Sequence, residues 1–119
     1  MRVVITSQGD TMDSPVDPRF GRAQGFIVTD ENGDEVEYVD NMQNLNAASG
    51  AGIQAAQNIV GKEAEVLLTG SVGPKAYSVL SSAKVKVFIG ASGTVQEALD
   101  KYSNGELEEA NSANVEGHW

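Results

Sequence analysis

A chain of 119 residues, 40 % of them hydrophobic, is enough for one compact domain and too short for two of ordinary size. Its formal net charge of −9, from 17 acidic against 8 basic residues, opposes non-specific binding to nucleic acid and to anionic membrane surfaces. The absence of cysteine excludes disulfides, thiolate zinc sites and cysteine-held iron–sulfur clusters, and no run approaches the roughly 18 apolar residues of a membrane span.

The opening "MRVVITSQGD" turns polar too soon for a signal peptide, which leaves the cytoplasm as the expected location. Within it, "RVVIT" (2–6) is a short β-branched run, the pattern of a strand covered on both faces. A polar loop follows over residues 7–24. "GFIVTD" and "EVEYVD" are two strand-like runs around "ENGD", and Asn32-Gly33 predicts a tight hairpin with positive φ at both turn positions. Glu35, Glu37 and Asp40 along the second run predict an exposed edge strand, where charge discourages pairing with other molecules.

After "NMQNLNAASGAG" the period changes, and Ile53, Ala56, Ile59 and Val60 fall on one helical face. "EVLLTG" (65–70) is a further buried strand. "VGPKAYSVLSSA" reads as a helix with Pro74 near its first position and Ala76, Val79, Leu80 and Ala83 as its apolar stripe. "KVKVFIG" (84–90) is the last predicted strand. Thr94 and Glu97 form a T-x-x-E capping box that opens a helix with Val95, Ala98, Leu99 and Tyr102 facing inward. From Asn104 onward no periodicity persists. The domain is therefore placed at 1–105, with 106–119 as a flexible acidic tail whose Trp119 docks back at most locally.

The order β-β-β-α-β-α-β-α predicts a mixed five-stranded sheet with helices on both faces, a three-layer α/β/α architecture. If strand 2 runs antiparallel to strand 1, strands 1, 3, 4 and 5 point the same way. Their carboxyl ends and the N-termini of all three helices then share one edge, where open α/β sheets bind ligands. On that edge lie the 7–24 loop, "NAASGAG", "TGSVGPK" and "GASGT". Arg19, Arg22 and Lys75 fall there too, three of only eight basic residues. Helix N-termini and cations on one edge suit an anion. The competing reading is that the glycines merely end strands and the arginines pair with Asp13 and Asp17.

Other patterns carry less. "GSVGPK" lacks the P-loop spacing, and "SGAG" is a fragment of a dinucleotide fingerprint. Asp10, Asp13 and Asp17 lack EF-hand spacing and read as solvated loop carboxylates. The sole histidine, His118, is penultimate; it offers no triad and only one weakly organised metal ligand.

Three stretches, "DPRFGRAQGFIVTD", "GAGIQAAQNIV" and "LLTGSVGPKAYSVL", resemble in order and spacing the dinitrogenase iron–molybdenum cofactor biosynthesis family, which comprises the NifX-type carriers and the C-terminal domain of NifB. The similarity spans roughly residues 1–107. It implies a ribonuclease-H-like sheet, without nuclease activity, since "RVVIT" and "EVLLTG" carry no carboxylate on their central positions. It further implies non-enzymatic binding and transfer of an iron–sulfur or iron–molybdenum cofactor precursor, with a cluster-assembly or recipient protein as partner. Carried onto this chain, the cofactor-binding residues are Arg19, Phe20, Gly21, Arg22, Gly50, Gly52, Gly70, Gly73, Pro74 and Lys75. With no cysteine, such binding is expected through charge and hydrogen bonds. Two alternatives stay open: a module for another anion, such as a nucleotide or phosphorylated metabolite, and a protein-interaction or regulatory domain.

Overall fold

A computed structural model describes residues 1–41 and 50–110. The expectations for His118 and Trp119 lie outside the described residues. Strand β1 (Arg2–Ser7) is apolar from Val3 to Ile5, and those residues are completely buried, so both of its faces are covered. It pairs antiparallel with β2 (Gly25–Asp30), from Arg2 opposite Asp30 to Ser7 opposite Gly25. On its other side it pairs parallel with β4 (Val66–Leu68). β3 (Val36–Asp40) joins β2 antiparallel, and β5 (Lys86–Ile89) joins β4 parallel. Thus β1, β3, β4 and β5 point one way, and β1 is interior as its sequence requires.

Alternation along each strand divides the core. Val4, Phe26, Val28, Leu67 and Val87 pack under α1 (Ala51–Gly61) and α2 (Pro74–Ser82), against Ala55, Ala56, Ile59, Ala76 and Leu80. Val3, Ile5, Ile27, Val66 and Leu68 face α3 (Val95–Ser103), against Val95, Ala98 and Leu99. Each fully buried side chain of Val or Leu size stabilises the fold by roughly 1.5–3 kcal/mol. No helix of the described residues is long and apolar enough to cross a membrane.

The sheet has six strands, not five, in the order β3-β2-β1-β4-β5-β6. β6 (Glu108–Glu109) pairs antiparallel with β5. It arises in the segment assigned to the tail, where two glutamates offer no apolar pattern. What holds it is backbone pairing to the open edge of β5 and the burial of Ala110, whose N–H donates to the carbonyl of Val87 at 2.8 Å. The Tyr77 hydroxyl donates to the Ala110 carbonyl at 3.3 Å.

The hairpin also differs from expectation. Of its turn residues only Gly33 has positive φ, +75°; Asn32 does not. Val36 pairs with Thr29, so six residues, 30–35, separate the last paired positions, and the loop is longer than the two-residue turn the Asn-Gly pair suggests. The Asp30 carboxylate organises it, accepting the N–H groups of Asn32 at 2.8 Å and of Asp34 and Glu35 at 3.1 Å each. The Asp34 N–H foremost, with those of Asn32 and Glu35, holds the Asp30 carboxyl below its ordinary range against the opposing effect of desolvation.

Candidate anion-binding site

The carboxyl ends of β1, β4 and β5 meet one set of loops, and the 17 residues between β1 and β2 divide over them into two parts. The first part runs toward α3. Val16 N–H donates to Gly93 O at 2.8 Å, Val95 N–H to Ser14 O at 2.9 Å, and Gln96 N–H to Met12 O at 2.9 Å. The expected capping box is present: Glu97 N–H donates to Thr94 Oγ1 at 3.1 Å, and Thr94 N–H to Glu97 Oε1 at 2.9 Å. Those contacts with the Thr94 backbone and hydroxyl hold the Glu97 carboxyl below its ordinary value. The leading donors of α3 are therefore consumed within the protein. "GASGT" lies on the predicted edge, but its helix end is closed to a ligand.

The second part, residues 17–24, runs to the opposite face. Asp17 is held to the end of β1 by both backbone groups: its N–H donates to Thr6 O at 3.0 Å, and its carbonyl accepts Thr6 Oγ1 at 2.6 Å. Thr6 Oγ1 also bonds Thr69 Oγ1 at 3.0 Å, tying the ends of β1 and β4. Asp17 was expected to be solvated; it is 4 % exposed. Its carboxylate accepts Arg19 N–H at 3.1 Å through Oδ1 and Gln24 N–H at 3.3 Å through Oδ2. Burial of an acceptor-only group is tolerable because both oxygens find donors.

Between those anchors, the Phe20 ring is completely buried beside Phe26, with ring centroids 5.7 Å apart. Phe20 N–H donates to Ser71 O at 3.2 Å, and Ser71 Oγ donates to Pro18 O at 3.0 Å. Asn41, buried at the end of β3, donates through Nδ2 to Ala23 O at 2.9 Å and Gly21 O at 3.3 Å. The D-P-R-F-G-R loop is thus fastened to the β4–α2 turn on one side and to the exit of β3 on the other.

The residues expected at the site take different places. Arg19 is exposed, with its Nε 3.9 Å from Asp17 Oδ1. Arg22 is half-buried, and Lys75 is exposed on the first turn of α2. Gly50 occupies the N-cap of α1 with φ +77°, and Gly73 the N-cap of α2; no side chain caps either helix. Pro74 is at the first position of α2, as predicted, so the leading backbone donors there belong to Lys75 and Ala76. Gly52 is buried in α1, and Gly21 is buried with its carbonyl engaged by Asn41. Gly70 allows close approach: a Cβ there would lie 2.7 Å from Pro18 O. The Phe20 side chain has no surface to offer a ligand, which corrects its assignment as a contact; it anchors the loop. His118 lies outside the described residues. Asn41 and Ser71 were not singled out in the sequence, and Asp17 was read only as a solvated carboxylate or a partner of the arginines, although an Asp before Pro and an Asn closing a strand are residue types that bond nearby backbone.

Among the described residues no side chain caps α1 or α2, and the loop holding Arg19 and Arg22 is fastened to the turn that leads into α2 and Lys75. Two surface recesses lie among the described residues. One, lined by Pro15, Val16, Pro18, Ala91 and Gly93, flanks the loop on the α3 side. The other is acidic, at the opposite sheet edge around Arg2, Glu37, Glu63 and Glu65. Among the described residues no group of three His, Cys, Asp or Glu side chains is arranged to hold a metal ion. The donors at this edge are N–H groups and cations, which suit an anion held through its outer atoms.

This architecture and edge define an α/β domain of the type the sequence resembled. The family model for dinitrogenase iron-molybdenum cofactor proteins matches residues 1–105, and the chain belongs to that family. It is similar to the orange protein of Desulfovibrio gigas, known in an apo form, with 43 % identity, a TM-score of 0.92 and coverage of 96 % of each chain. A Thermotoga protein provisionally assigned to NifB is 41 % identical, with a TM-score of 0.83 and 98 % of each chain covered. An uncharacterized protein of Methanocaldococcus jannaschii is 26 % identical over 93 residues, 76 % of this chain and 79 % of the relative.

Proposed function

We propose that this protein is a non-enzymatic carrier that binds an anionic iron–sulfur or iron–molybdenum cofactor precursor in the cytoplasm and passes it to an assembly or recipient protein. The observation that carries the reading is the fastening of the Arg19–Arg22 loop to the β4–α2 turn, through Phe20 N–H to Ser71 O and Ser71 Oγ to Pro18 O. It sets scarce positive charge beside the N-terminus of α2, which no side chain caps among the described residues, in a chain of net charge −9. Metal–sulfur clusters of this class carry negative charge on their outer atoms. Arg19, Arg22, Lys75 and the amides at the starts of α1 and α2 would hold them by charge-assisted hydrogen bonds. The family match and the apo form known for the Desulfovibrio relative support the same reading.

The test is an anaerobic titration with isolated iron–molybdenum cofactor. Arg19→Gln should change stability by about 0–1 kcal/mol, because its ion pair with Asp17 is long and its side chain exposed. Charge-assisted hydrogen bonds are worth roughly 1.5–3 kcal/mol each. The double variant Arg19→Gln, Arg22→Gln should therefore lose at least about a hundredfold in affinity. Unchanged affinity in the double variant would remove the arginines from the site.

A further inference from the structure

We infer that Asp17 is a positioning residue that presets the Arg19–Arg22 loop for its anion; the assignment rests on the carrier reading above. A carboxylate next to an anion site is electrostatically wrong if charge alone matters. Asp17 is nevertheless 4 % exposed, and it reaches both ends of the segment that carries the arginines. Oδ1 takes the N–H of Arg19 and Oδ2 that of Gln24, while Thr6 secures the Asp17 backbone to β1. One side chain thereby closes residues 19–24 into a fixed arch whose crown is pinned by Asn41. Arg19 Nε, 3.9 Å from Oδ1, is oriented by the same oxygen without forming a tight pair that would compete with a ligand. A loop held in place before binding spares the ligand the ordering of its backbone.

The two views predict opposite signs for Asp17→Asn. Removing a negative charge should tighten anion binding if charge dominates. Losing one of two acceptors, and facing a backbone N–H with an amide NH₂, should weaken it if positioning dominates. We expect D17N to bind isolated iron–molybdenum cofactor at least about tenfold more weakly at a temperature where circular dichroism shows it folded. Asp17→Ala, with neither acceptor, should be weaker still. Equal or tighter binding by D17N overturns the assignment. Amide hydrogen exchange provides a readout free of ligand: the Arg19 and Gln24 amides should be protected at least about tenfold in the wild type and lose that protection in D17N. If D17N does not fold, the wild-type exchange decides, and unprotected Arg19 and Gln24 amides overturn the assignment. If the wild type fails to bind the cofactor, the carrier reading fails, and the positioning of the loop is still judged by exchange.

Discussion

Gly70 carries no side chain because Pro18 occupies the space: a Cβ would meet Pro18 O at 2.7 Å and Pro18 Cα at 2.8 Å, both backbone atoms that cannot swing aside. Gly70→Ala should push the D-P-R-F-G-R loop off the β4–α2 turn. The expected loss is about 1–3 kcal/mol of stability, the usual cost of overpacking, with cofactor binding weakened in the same variant; a thermal melt beside a titration checks both. Phe20 shows why motif residues need not be contacts. The resemblance placed it among the cofactor-binding residues, but its ring lies wholly inside the core, where an apolar anchor fixes the loop that displays its neighbours. Asp17 departs from expectation in the other direction, from solvated carboxylate to buried acceptor of two loop amides.

Among the elements, α3 and β6 show how a tertiary context changes a local pattern. The three helices were expected to present N-termini at one ligand edge. α3 does start there, yet Ser14 O, Met12 O and Thr94 Oγ1 take its first three donors. α1 and α2 lack side-chain caps and remain the pair suited to an anion. β6 makes the end of the domain part of the fold. Truncation after Gly105 removes β6, the half-buried Leu107 and the buried Ala110 together. It should cost at least about 2 kcal/mol, counting partial Leu burial and roughly 1 kcal/mol per lost hydrogen bond. Chains ending at Gly105 and at Ala110, compared in urea unfolding, should show the shorter unfolding at lower denaturant. Equal midpoints would mean that β6 contributes nothing to stability.

At the scale of the whole molecule, charge is the dominant property. Its extents are 34 × 27 × 23 Å, close to the Debye length of about 30 Å at 0.01 M salt, so at that salt all its charges interact. Among the described residues, the attractive pairs that offset the net −9 are weak or exposed. Lys62–Glu37 at 2.9 Å joins two half-exposed side chains, and the Met1 amino group to Glu31, at 4.0 Å, is a limiting contact. Raising salt to about 0.15 M, where the Debye length is about 8 Å, should relieve repulsion and raise the Tm, as a salt series of thermal melts would show. A Tm that falls with salt would mean that attractive pairs dominate instead.

The sequence by itself determined the interior position of β1, the Thr94–Glu97 cap, Pro74 at the start of α2 and the parallel course of β1, β3, β4 and β5. Each is written in neighbouring residues: a β-branched run without charge, a T-x-x-E spacing, a fixed φ, a hairpin followed by crossovers. The meeting of the arginine loop with the "GSVGPK" turn was also foreseeable, because strand direction alone brings their ends to one edge. Only the tertiary structure decided that Glu108 and Glu109 become a strand, that Phe20 points inward, that Asp17 is buried and that the α3 N-terminus is closed. Those outcomes depend on partners distant in sequence or on an open backbone edge. Val87 O receives Ala110 N–H, the Phe20 ring meets Phe26 under two helices, and Ser14 O reaches Val95 N–H. Periodicity reports which side of an element is apolar. Which donor meets which acceptor across a loop is settled only when the chain closes on itself.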